Sequence, residues 1–365
     1  MCKTYHIIGS LTTLKLSLED NGIYDFKSLT EVINFQDSFP FLRQELITSH
    51  TELIEKEKIE LSADLPELET AIELQKQQAE GKFLGEIEQL KQQLDFWINN
   101  DASNFFQRLR RSFFQWLLKI KIHRRESNFD LNVANSIRDS VKIHQFKNDR
   151  FQFITNHFDL AVKESAQKYV SEIDRKKSVI DSLNNYIFGA LGEQKVVKVL
   201  ETLSDDYYLI NDFAISFSSA IYYRRDNEYI KSIQIDHILV SPSGVFIIET
   251  KNWSEQSLEN ESLFSPVQQI KRTSFALFKL LNNQNSNLNL NLNYHHWGEK
   301  KVSIKNLIVL INTRPKEEFQ YVKIVTINEL VGYINYFKPI FSNAETKGIA
   351  EFLLDINEQK TIDLQ

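Results

Sequence analysis

Cysteine occurs once in this chain of 365 residues, as Cys2, and methionine occurs once. A single thiol excludes a disulfide framework and any cysteine-based zinc site, and it suits a reducing cytoplasm, the expected location. No apolar run reaches the roughly 18 residues of a membrane-spanning helix, so no transmembrane segment is expected. The N-terminus lacks the basic start and apolar core of a secretory signal. No Gly-x-x-x-x-Gly-Lys phosphate loop occurs, so the chain is not read as an ATPase, and any strand separation or translocation would fall to a helicase or ATPase partner. Net charge is −6, which leaves nucleic-acid affinity to local basic patches.

Proline is absent between Pro66 and Pro242, and glycine between Gly85 and Gly189. Long helices require that absence of breakers. Phe83, Ile87, Leu90, Leu94 and Trp97 recur at spacings of 4, 3, 4 and 3 and lay one apolar stripe along a helix. Leu61, Leu65, Leu68 and Ile72 form a similar stripe around Pro66, which is expected to begin or kink a helix. A second long helix is expected over about 132–177, through Val133, Ile137, Val141, Phe151, Ile154, Phe158, Val162, Tyr169 and Ile173. The stripes predict an antiparallel helical hairpin, packed on itself or shared with a second copy in a homodimer.

The segment from Arg108 to Arg125 is basic at both ends and apolar between, with Phe113, Phe114, Trp116, Leu117 and Leu118 at its centre. Three readings compete: a buried connecting helix with solvated ends, a nucleic-acid patch, and an interfacial membrane helix. In the second, Arg108, Arg110, Arg111, Lys119, Lys121, Arg124 and Arg125 would add salt-sensitive phosphate affinity. In the third, the same residues would flank an apolar face at a bilayer surface.

Beyond the helices, apolar runs predict strands near 207–212, 215–224, 230–240, 244–251, 307–311 and 323–327, with a helix over 267–281. The result is a mixed sheet flanked by helices. Asn282 to Asn293 reads as an exposed Asn-rich insertion, and the adjacent His295 and His296 are poor zinc candidates. The first 48 residues carry no motif.

Charge appears at unusual places in two of these strands. Asp236 interrupts an apolar run, and Glu249 and Lys251 end the next one, two residues apart and on one face of the pleat. Taken singly, Asp236 reads as an edge residue and Glu249 with Lys251 as a solvated strand end. Asp236 and Glu249 are 13 positions apart, however, and a tight turn at Ser241–Gly244 brings both carboxylates toward the open end of a hairpin. Two carboxylates beside an ammonium in apolar surroundings suit a bound cation. His237, next to Asp236, is expected on the opposite face as a core residue.

These residues resemble the NERD (nuclease-related) domain family, a branch of the PD-(D/E)xK nuclease-like superfamily. The family's opening helix appears as Gly189-Ala190-Leu191-Gly192-Glu193, its hairpin as Asp236-His237 through Ser241-Pro242-Ser243-Gly244 to Phe246-Ile247-Ile248-Glu249-Thr250-Lys251, and its next helix start as Pro266-Val267-Gln268-Gln269. Ser265 replaces the usual Asn there. The resemblance covers roughly residues 185–335. It implies a restriction-endonuclease-like α/β fold preceded by an all-α, coiled-coil-like region. The expected divisions are a cap over 1–48, the helical region over 49–182, the nuclease-like domain over 183–340 and a helical tail over 341–365.

The resemblance also implies a Mg²⁺-dependent nuclease, with Mn²⁺ able to substitute. Hard oxygen ligands suit Mg²⁺. Asp236 and Glu249 are the expected ligands, the backbone carbonyl of Thr250 is the implied third, and Lys251 would orient water or steady transition-state charge. Its pKa is expected to fall beside a bound metal. Glu193 reads either as a favourable charge near a helix N-terminus or as an outer member of the metal cluster. Gln269 reads as surface from its position alone, and by resemblance as a residue facing the site. The function expected is hydrolysis of DNA in DNA processing or defence against foreign DNA. The alternative is a catalytically silent nucleic-acid-binding or scaffold protein that acts through its helical region.

Overall fold

The computed structural model describes residues 1–99, 104–253, 263–282, 301–312 and 317–362, and the chain falls into two units, residues 1–37 with 176–365 and residues 38–175. The Asn-rich stretch from residue 283 onward, His295 and His296 lie outside the described residues. Along the chain run β1 (Lys3–Tyr5), α1 (Gly9–Asp20), α2 (Leu29–Asn99), α3 (Phe105–Ser127), α4 (Phe129–Asn156), α5 (Phe158–Ser182) and α6 (Asn184–Leu200). Then follow β2 (Tyr208–Tyr223), β3 (Glu228–Ser241), β4 (Gly244–Lys251), α7 (Phe264–Asn282), β5 (Ile304–Leu310), β6 (Lys323–Thr326), α8 (Ile327–Asn335), α9 (Asn343–Gln359) and β7 (Thr361–Ile362).

In the first unit one sheet runs β1-β2-β3-β4-β5-β6, with β7 beside β2. The pairs β2–β3 and β3–β4 are antiparallel; β4–β5 and β5–β6 are parallel. Continuous apolar runs in β3, β4 and β5 suit strands covered on both faces. One face buries Ile238, Ile247, Ile308 and Leu310 against Val267, Ile270 and Leu277 of α7 and Ile349 and Leu353 of α9. The other buries Leu239, Phe246, Ile248, Leu307 and Val309 against Val196 and Leu200 of α6 and Leu330 and Ile334 of α8. The result is the expected restriction-endonuclease-like mixed sheet flanked by helices.

The turn between β3 and β4 requires glycine. Gly244 has φ +127°, and a Cβ there would stand 2.5 Å from Ser303 Oγ. Ser241 Oγ, buried, accepts from the Ser243 N–H at 3.1 Å and donates to the Gly244 carbonyl at 2.8 Å, which closes the turn from within.

Two local expectations change. The strands expected at 207–212 and 215–224 are one strand, β2, because pairing resumes at Phe213 after the left-handed Asp212. The helix expected over 132–177 is two, α4 and α5, separated at His157, which leaves helical geometry at φ −134°, ψ 47°. Pro66, like Pro40, sits inside the 71-residue α2. The first residues join the first unit: β1 extends the sheet, and α1 packs Leu14 and Leu18 with Ile187 and Ala190 of α6.

In the second unit α2 runs antiparallel to the α3–α5 tract, which the ion pairs show: along α2 their partners run back from Asp174 to Arg125 and Glu126. Arg43 pairs with Asp174, Glu57 with Arg150, Asp64 with Lys147, Glu86 with Arg125 and Lys91 with Glu126. Beneath them Ile54 and Leu61 bury against Ile154, Ala161 and Val162. Exposed pairs of this kind contribute little energy but fix register. Tyr169, placed by periodicity on the inner stripe, is exposed, and Ala166 takes the buried position.

Phe246 is fully buried, edge-on to Phe337 at 5.7 Å between centroids. Truncation there leaves a cavity between the sheet and α8. Phe246→Ala is expected to lower the stability of the first unit by about 3–5 kcal/mol in urea unfolding; a loss below about 1 kcal/mol would mean that the site collapses freely.

Candidate active site

Strands β3 and β4 pair as far as His237 opposite Ile248. One step further along that register Asp236 faces Glu249, and there the ladder stops. The Thr250 N–H donates instead to Asp236 Oδ2 at 2.8 Å. On the other side of β3, pairing with β2 also skips this level: Asn211 pairs with His237 and Phe213 with Ile235, while Asp212 between them has φ 49°. Backbone pairing of β3 with both neighbours is therefore interrupted at Asp236.

Two residues beyond Thr250's partner level, Lys251 Nζ donates to Glu249 Oε1 at 2.8 Å. Glu249 and Thr250 are buried, while Asp236 and Lys251 keep partial exposure. Helix α6 brings Glu193 to the same end of the sheet. Gly192 makes that approach possible, since a Cβ there would lie 2.9 Å from Asn252 Cβ and 3.3 Å from Thr250 Cγ2. Asn252 Nδ2 donates to the Phe188 carbonyl at 2.8 Å and ties the start of α6 to the end of β4.

Glu193 is buried and accepts from the Ser10 hydroxyl and, at 3.4 Å, from the Ser10 N–H. Ser10 opens α1, where unpaired N–H groups and the helix dipole favour a carboxylate. Ser10 and Asp212 are the residues near the site that motif reading missed. Nothing local marks Ser10, which is 183 positions from its partner; Asp212 shows only as an acid between apolar residues.

Electrostatics follow from this crowding. Burial first, then the charges of Glu249 and Glu193, hold the Asp236 carboxyl well above the usual carboxylate range, against the Thr250 N–H and Lys251. Burial also raises Glu193; its bonds from Ser10 pull it back, and Asp212 and Glu249 add to the rise. For Lys251, burial favours loss of the proton, but Glu249, Asp236 and Glu193 outweigh it and raise its pKa. The protein's own groups thus keep Lys251 an ammonium, and the expected downward shift would need a bound metal.

His237 turns to the opposite face, fully buried, with Nδ1 2.7 Å from Asn211 Oδ1. Burial pushes its pKa down to about 3, so it is neutral. Gln269 lies on the exposed side of α7 and makes none of the hydrogen bonds that join the other residues. The structure therefore brings Glu193, Asp236, Glu249, Thr250 and Lys251 together, and Gln269 is exposed on α7.

Among the described residues no group of three or more His, Cys, Asp and Glu side chains converges as a metal-ligand cluster. Asp236 and Glu249 offer two carboxylates to an ion, with backbone oxygen nearby. Hard oxygens of this kind, with one ammonium against several acids, fit Mg²⁺ or Mn²⁺ rather than a softer ion.

A pH dependence follows from Asp236. Its ordinary value is near 3.8 and its value in the fold is higher, so between the two the folded state binds the extra proton. Stability present below the ordinary value is then lost as pH rises through that window. Urea midpoints of the metal-free protein are expected to fall from about pH 4 upward, and Asp236→Asn is expected to flatten the fall. An equally steep decline in the variant would assign it to other groups.

Comparison with known proteins agrees with this geometry. Residues 188–311 match the model of the nuclease-related domain family, NERD, a span that contains Glu193, Asp236, Glu249, Thr250, Lys251 and Gln269. No curated protein and no solved structure gives a match to the chain. Over roughly a third of its length, then, the chain is similar to the nuclease-related domain family, and its mixed sheet flanked by helices is consistent with a restriction-endonuclease-like fold.

Proposed function

We propose that this protein is a divalent-metal-dependent nuclease that hydrolyses phosphodiester bonds of DNA. The observation that carries the reading is the placement of Asp236 and Glu249 at one register level, where the β3–β4 ladder ends, with Lys251 Nζ 2.8 Å from Glu249. Asp236 and Glu249 would hold Mg²⁺ or Mn²⁺, with the Thr250 carbonyl as the third donor. When bound, such an ion offsets charge on a phosphate and activates water near neutral pH.

The chain's own residues do the rest. The Thr250 N–H fixes the rotamer of Asp236 through one carboxylate oxygen and leaves the other available. Lys251, whose Nζ donates to Glu249, supplies an ammonium that would hydrogen-bond a phosphate oxygen or the attacking water. Glu193, held by Ser10, contributes negative charge beside the pair and strengthens cation affinity. DNA processing or defence against foreign DNA is the role that such an activity suits, and a helicase or ATPase would supply any unwinding.

Cleavage of a labelled plasmid and of a linear single strand, with Mg²⁺, with Mn²⁺ and with EDTA, tests the reading. Metal-dependent cutting is expected, reduced about 10²-fold or more in Asp236→Ala and in Lys251→Ala. Uncut DNA under every metal, with nucleic-acid binding intact in both variants, would turn the reading to the catalytically silent binding or scaffold protein. Independently of turnover, Mg²⁺ at about 100 times its dissociation constant is expected to add about 2.7 kcal/mol of stability. The rise in thermal midpoint should disappear in Asp236→Ala; an unchanged rise would place the cation elsewhere.

A further inference from the structure

We infer that α3 docks the protein onto an anionic phospholipid surface. Residues 104–125 contain seven Arg and Lys residues and no Asp or Glu, in a chain of net charge −6. One face of α3 is occupied: Phe114 stacks on Trp97 of α2 at 5.0 Å and 9°, Leu118 and Ile122 are buried, and Gln115 donates to the Trp97 carbonyl at 2.9 Å. Those contacts fix the rotation of the helix about its axis.

The opposite face is apolar, and no described residue covers it. Leu109, Phe113, Trp116 and Ile120 recur at spacings of 4, 3 and 4, so they form one stripe. They are 54%, 55%, 59% and 47% exposed, and Phe105 and Phe106 extend the stripe at its N-terminal end, at 72% and 83%. At 100° per residue, Arg108 and Lys119 border the stripe on one side and Arg110 and Lys121 on the other. The expectation of a buried connecting helix with solvated ends fails here, because the large side chains themselves lie in solvent.

The occupant must be both anionic and apolar. A second copy of α3 would bring like charges together on both borders of the stripe. A nucleic acid answers the basic borders, but its bases stack on single aromatic rings and leave Leu109 and Ile120 uncovered. An anionic bilayer answers both: acyl chains take the stripe, Trp116 and the Phe rings lie at the headgroup level, and the four basic residues meet lipid phosphates and carboxylates. Among the described residues no helix is long and apolar enough to cross a membrane, so attachment is to the surface. This inference is independent of the nuclease reading.

The test is co-sedimentation of the full chain with phosphatidylcholine vesicles, with and without phosphatidylserine, alongside binding to a DNA duplex. The native protein is expected to pellet with the phosphatidylserine vesicles and to remain in solution with phosphatidylcholine alone. The double substitution Phe113→Ser with Trp116→Ser, at exposed positions and checked for native helicity by circular dichroism, is expected to weaken vesicle binding at least tenfold and to leave duplex binding within twofold. Arg110→Glu with Lys121→Glu is expected to weaken vesicle binding to a similar extent. Failure of the native protein to pellet with anionic vesicles, or vesicle binding that survives the Phe113 and Trp116 substitutions, would overturn the proposal. Loss of duplex binding in the Phe113 and Trp116 variant would assign the stripe to nucleic acid instead.

Discussion

Repulsion among carboxylates that the fold forces together is the interaction on which the candidate site depends. Asp236 and Glu249 stand at one level of adjacent strands, Glu193 arrives on α6, and one ammonium, Lys251, answers them. In water such charges would separate. Here the apolar sheet on either side prevents it, and the strain falls on Asp236, whose carboxyl is held above its usual range.

The surrounding architecture exists to keep that arrangement stiff. Both faces of β4 and of the second half of β3 are buried, which leaves the strands no freedom to slide, and a one-residue slip would carry every core side chain to the wrong face. Gly244 sets the hairpin register at one end; the failure of pairing at Asp236 marks the other. Gly192 then lets α6 reach the end of β4, and Ser10 holds Glu193 from the first turn of α1. The N-terminal residues thus act at a site almost two hundred positions away.

The helical unit follows a different logic. Its buried positions are few and its ion pairs exposed, so register comes from the repeated stripe of α2 and from pairs such as Glu57 with Arg150. Toward the α2–α3 connection the balance shifts. Leu109, Phe113, Trp116 and Ile120 are too many large apolar groups for a face that no described element covers, and basic residues border them on both sides.

Sequence alone determined the features that depend on spacing within a short stretch. Alternation placed Asp236, Glu249 and Lys251 on one face and His237 on the other, and the turn at Ser241–Gly244 made the hairpin legible. The spacing of 4, 3, 4 and 3 put Ile87 on the inner face of α2. What only the tertiary structure decided depends on contacts between distant residues. The hold of Ser10 on Glu193, the union of two expected strands across Asp212, the break at His157 and the exposure of Gln269 have no local signature, because each reflects which surfaces meet. The outward turn of the aromatic stripe on α3 belongs with them: periodicity shows that a helix has an apolar face, but only packing decides whether anything lies against it.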